Sequence, residues 1–169
     1  MATLAELAVE GGPLTKLDPA LDPDDPDAQE ERLIYVSQGL KKWLQDVLPT
    51  LGSTWNIEVD PAQQVDALLE VYASGDELTY SWQFKPLTPI GEGVWELKTA
   101  DVRIFGWFRS QNCFIGVVAD TKERIKEHGL YPGYRSTVIR YRNQLQLDDP
   151  KHIKGDDPNA AVSNYTLPD

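Results

Sequence analysis

The chain has 169 residues, with 16 Lys and Arg against 27 Asp and Glu, two His, one Cys and one Met. That length suffices for one domain with a real core, and the five Trp, seven Tyr and four Phe exclude a wholly disordered chain. The lone Cys113 excludes an intramolecular disulfide and a Cys-based zinc site, and no apolar run approaches the roughly 20 residues of a membrane helix. The opening segment carries no basic stretch and no long apolar run, so a cytoplasmic location with no membrane partner is expected.

Residues 1–27 read as an acidic, proline-rich arm. Residues 1–31 carry a net charge of −8, and Pro19, Pro23 and Pro26 preclude regular structure between Leu17 and Asp27. The arm is solvated, or folds over a basic surface and competes with an anionic ligand. Residues 28–53 are expected to hold an extra N-terminal helix, from about Ala28 to Leu51. Leu33, Val36, Leu40, Trp43 and Leu44 fall on one helical face, with Asp27 as a cap and Glu30 three residues on. Pro49 and Gly52 end it.

A domain at 54–147 follows. Trp55–Val59 alternates like a half-buried strand. Asp60-Pro61 starts a helix over 61–74, with Val65, Leu68, Leu69 and Tyr72 on one stripe and Gly75 as the stop. Residues 78–84 read as an extended edge segment leading to Pro86 and Pro89. Three strand-like runs come next, Val94–Lys98, Val102–Phe108 and Cys113–Val118, joined by hairpin-length connections. An antiparallel meander is expected from them. Asp120 or Thr121 caps a short helix over 121–128, which Gly129, Pro132 and Gly133 break. A final helix spans about 134–147. Residues 148–169 form a polar tail of net charge −3, with Val162, Tyr165 and Leu167 as possible anchors. The fold class is α+β, an antiparallel sheet of three to four strands packed with helices.

The net charge of −11 hides its distribution. Residues 98–142 carry nine bases and four acids. Lys98 and Arg103 lie on strands, Lys122, Arg124 and Lys126 on the short helix. Arg135, Arg140 and Arg142 lie on the final helix among Tyr131, Tyr134 and Tyr141. Cations mixed with aromatic rings suit single-stranded nucleic acid, contacting phosphates and stacking on bases. The bland reading is a solvated helix with tyrosines half in the core. Metal chemistry has no support: His128 and His152 are far apart and no carboxylate flanks either at ligand spacing. Cys113 lies in an apolar run, where a thiol behaves as a small hydrophobe.

Val94-Trp-Glu-Leu-Lys98, Val102-Arg-Ile-Phe105, then Phe114-Ile-Gly-Val-Val118 before a Lys-bearing helix together resemble the RelE/HigB toxin family, including its phage-derived Gp49-like branch. The resemblance covers about residues 54–145. It implies a RelE/ParE-like fold and an endoribonuclease that cuts mRNA on the ribosome without metal or other cofactor, restrained by a cognate antitoxin. Such chemistry needs a base for the ribose 2′-OH, an acid for the leaving 5′-oxygen and cations for the phosphate. The implied catalytic residues are Arg103, Lys122, Tyr134 and Arg135, and the implied RNA-binding residues are Lys98, Arg124, Lys126, Arg140 and Tyr141. The chain departs from the family at Val102, where a Tyr is common, and at Asp120 and Glu123, which add negative charge. These departures motivate the alternative of a catalytically inactive binding module on the same fold, with a protein or nucleic-acid partner.

Overall fold

A computed structural model describes residues 1–53 and 58–169. In chain order it contains α1 (Leu4–Leu7), β1 (Leu14–Lys16), β2 (Leu33–Ser37), α2 (Gln38–Asp46), a single 3₁₀ turn (Leu48–Thr50), α3 (Pro61–Ser74), β3 (Leu78–Thr79), β4 (Phe84–Pro86), β5 (Trp95–Lys98), β6 (Val102–Ser110) and β7 (Cys113–Thr121). After these come α4 (Lys122–His128), α5 (Tyr131–Gln144), α6 (Pro158–Ala161) and β8 (Tyr165–Thr166). The α+β class expected from the sequence is observed.

The main sheet has six strands in the order β1-β2-β7-β6-β5-β4. Strands β5, β6 and β7 form the expected antiparallel meander. β4 extends it on one side, and β2 joins β7 in parallel on the other. β3 and β8 form a separate parallel pair. Each face of the main sheet carries an apolar layer. Ile34, Val36, Leu97, Ile104 and Phe108 pack with α2 and α3 residues, while Tyr35, Phe105, Trp107 and Ile115 pack with α4 and α5 residues. At the bulge after Phe105, a Cβ on Gly106 would lie 2.0 Å from the Ile115 carbonyl oxygen, so only glycine fits there.

The start of the helix expected over residues 28–51 is corrected. Leu33–Ser37 is a strand, and helix begins only at Gln38. Leu33-Ile-Tyr-Val36 is an unbroken run of bulky residues, and parallel pairing to β7 places Ile34 and Val36 in one layer and Tyr35 in the other. A strand buried on both faces shows no clean alternation, which is why a helical stripe could be drawn through it. Asp27 and Glu30 cap nothing, since Ser37 is the N-cap. Its hydroxyl accepts from the Leu40 N–H at 3.1 Å and donates to the Val117 carbonyl at 2.7 Å.

The helix at 61–74 forms as expected. Asp60 and Gln63 make a reciprocal capping box, and Gly75 closes the helix in the left-handed region at φ 77°. The strand expected at Trp55–Val59 falls mainly on residues 54–57, outside the described residues, and Glu58 and Val59 belong to no strand. Gly129 closes α4 as expected, and the final helix begins at Tyr131, with Pro132 in its first turn, ahead of the expected 134.

The arm is irregular between Leu17 and Asp27, as its prolines require. It is anchored on both sides: β1 pairs with β2, and the Asp22 N–H donates to Ser74 Oγ at 3.0 Å. It therefore runs beside the β1–β2 edge and the end of α3. The tail is anchored too, with Ala161 and Val162 fully buried and Leu167 exposed. Among the described residues, no helix is long and apolar enough to cross a membrane.

Candidate functional site

Side chains alternate across a strand, so Glu96 and Lys98 of β5 share one face of the sheet. The register sets Lys85 opposite Glu96, Glu96 opposite Phe105, and Arg103 between Lys98 and Asp120. Two polar rows result, Lys85–Glu96 and Lys98–Arg103–Asp120, at the end of the sheet where β5 turns into β6. Phe105 continues the first row. Over it lie two α5 tyrosines, Tyr131 edge-on at 5.7 Å and Tyr134 stacked at 5.4 Å.

Glu96 is the acid at the centre of this cluster. It is completely buried, with the Tyr131 side chain as a hydrogen-bonding neighbour that favours its charged form. Burial pushes its pKa up, while Arg103, Lys98 and Lys85 pull it back down. Arg103 is 5% exposed, and its Nη1 donates to the carbonyls of Thr99 and Val102, across the β5–β6 turn. Its Nε has no hydrogen-bond partner among the described residues. Arg103 thus supplies charge from behind the surface and braces the turn.

The lysines form the accessible part. Lys98 Nζ donates to the Ser81 carbonyl at 2.8 Å. Its ammonium pKa is lowered by burial first, then by Arg103, with Lys85 and Lys122 adding to the effect. The Lys122 pKa is likewise lowered by burial, then by Lys126 and Arg103. Lys85, Lys98, Arg103 and Lys122 therefore share one positive field, countered by the buried carboxylates of Glu96 and, at Lys122, Asp101. A cleft of about 270 Å³ opens beside it, lined by Lys85, Leu87, Thr88 and Tyr131.

The other residues named from the sequence divide into three groups. Tyr134 and Arg124 converge on Asp120: the Tyr134 hydroxyl donates to Oδ2 at 2.6 Å, and Arg124 Nε reaches both carboxylate oxygens at 3.2 Å. Burial and this bond push the Tyr134 phenol up to about 12. Arg135 donates to the Thr88 carbonyl at the rim of the cleft, and Lys126 lies near Lys122 on exposed α4. Arg140 is exposed elsewhere on α5, while Tyr141 packs against Trp107 and donates to the Pro13 carbonyl at 2.9 Å. Arg140 and Tyr141 are not brought to the cluster.

Sequence reasoning missed Lys85 and left Glu96 without a role. The signal for Glu96 was its period-two spacing from Lys98. Lys85 carried none, because only the β4–β5 register places it there. Among the described residues, no group of three or more His, Cys, Asp or Glu is placed to hold a metal ion. Comparison of the chain with family models, curated proteins and solved structures finds no match.

Proposed function

We propose that this chain is a RelE/HigB-like module that binds single-stranded RNA through its phosphates without cutting it. The observation that carries the reading is the shared cationic field of Lys85, Lys98, Arg103 and Lys122 in a chain whose net charge is −11. Like charges held this close weaken one another's protonation, and a phosphodiester among them relieves that repulsion. Tyr131 beside the cleft offers a ring on which a base can stack. The three-stranded meander β5–β6–β7 leading into the basic helix α4 supports the RelE/ParE-like resemblance. Against cleavage, Arg103 is engaged by its own turn and Tyr134 is held protonated against Asp120.

A second reading, cleavage of mRNA on the ribosome with neutralisation by an antitoxin, is favoured by Lys122. Its lowered pKa leaves more of it as the neutral amine that can take a proton than an ordinary lysine has. One experiment separates the two readings. The protein is mixed with a short fluorescein-labelled oligouridine, and binding is followed by anisotropy and integrity by denaturing gel. Binding that Lys98→Ala weakens, with the oligonucleotide intact, supports the module. Cleavage lost in Lys122→Ala supports the nuclease. No binding by the wild type overturns the binding module.

A further inference from the structure

We infer that a second, separate cleft, between the C-terminal half of α5 and residues 149–154, is a site for a phosphate-type dianion held by Arg142, Lys151, His152 and Lys154. The cleft has a volume of about 370 Å³ and is also lined by Asn143 and Asp149. Three fixed cations and a histidine therefore line it, Arg142 from α5 and Lys151, His152 and Lys154 from an otherwise acidic tail.

Its walls are held in place before any ligand arrives. Arg142 is 7% exposed, with Nη2 donating to the Glu92 carbonyl at 2.8 Å and Nη1 to the Gly93 carbonyl at 3.2 Å. The opposite wall is pinned to β6: Trp107 Nε1 donates to the Lys151 carbonyl at 2.7 Å, and the Ile153 N–H donates to the Phe108 carbonyl at 2.9 Å. Gly93 lies between the two walls. A Cβ there would come within 2.7 Å of His152 Nδ1 and 3.1 Å of Arg142 Nη1. The glycine thus lets the imidazole and the guanidinium approach the same strip of backbone.

His152 Nδ1 lies 2.6 Å from the Ile153 carbonyl oxygen and so carries its proton, which leaves Nε2 to titrate. The charged groups around it are Arg142 and Lys154, with Lys151 and Asp149 on the cleft and Glu92 beside Arg142. Burial lowers the imidazole pKa, the bond to the Ile153 carbonyl opposes this in part, and Arg142 and Lys154 lower it further. A dianion in the cleft opposes that and raises it.

The test uses the chain's two histidines. His128 is exposed on α4, outside the cleft, and serves as the internal reference. NMR pH titrations are run in sodium phosphate and in sodium chloride of matched ionic strength. A saturable rise of the His152 pKa in phosphate, with His128 unmoved, is expected. Lys154→Ala is expected to weaken the phosphate affinity by about two- to fivefold. Uridine 5′-monophosphate should reproduce the rise and uridine should not. Equal shifts of both histidines, no shift of His152, or an equal response to uridine would overturn the assignment.

Discussion

Tyr134 and Asp120 are joined by a 2.6 Å hydrogen bond, which turns a tyrosine in the basic set into the partner of a buried acid. The bond explains how Asp120 can sit beside phosphate-binding cations: its charge is spent on Tyr134 and Arg124. Tyr134→Phe should therefore leave RNA affinity within about twofold of wild type, since no phosphate contact is lost. A tyrosine that bound phosphate or moved a proton would lose far more.

The same bond fixes a pH window. The folded-state pKa of Tyr134 is raised to about 12, so its contribution to stability is complete below the ordinary tyrosine value of 10. That contribution is lost as the pH rises from there through about 12. Asp120→Asn removes the adjacent carboxylate and should shift the phenol titration downward, as read from tyrosinate absorbance. Tyr134→Phe identifies which tyrosine moves.

Glu96 makes the opposite test at low pH. Burial raises its folded-state pKa, so the folded protein binds this proton more tightly than the unfolded chain does. Its stabilising effect is full below the ordinary value of 4.5 and fades as the pH rises through the folded value. Urea unfolding of wild type and Glu96→Gln at pH 7 and at acid pH should show wild type gaining on the variant as the pH falls. A difference that is constant with pH would show that Glu96 is adequately solvated.

Arg32 braces the far side of the molecule. It is fully buried, and its guanidinium donates to the carbonyls of Val71 and Tyr72 in the last turn of α3, to Asp76 and to Asn164 of the tail. It also stacks over the Tyr72 ring at 5.7 Å. The negative end of the helix dipole favours a cation here. Arg32→Met keeps the apolar stem but removes the four charge-assisted hydrogen bonds to these carbonyls, at an expected cost of about 2–3 kcal/mol in chemical denaturation. A loss below about 0.5 kcal/mol, ordinary for a surface change, would contradict this role.

What the sequence made legible depended on whether the controlling contact was local. Asp60-Pro61 and Gly75 bound α3 by their own chemistry, and the meander follows from three apolar runs with short turns. Strand β2 was hidden because its partner lies some 80 positions away, as Ile34 opposite Phe114 illustrates. The site follows the same division. Lys98, Arg103 and Lys122 were legible as a basic cluster near one turn. Lys85 joins them only through strand register, and the engagement of Tyr134 by Asp120 depends on how α5 lies on the sheet.

The central claim is that Lys85, Lys98 and Lys122 form one phosphate-binding cluster. The most direct measurement is the salt dependence of oligouridine affinity for wild type and for each lysine-to-alanine variant. Three contacts to a single strand predict a slope of log affinity against log salt near −2, with each variant reducing its magnitude by about 0.7. A wild-type slope near zero, or three variants that all keep the wild-type slope, would contradict the account.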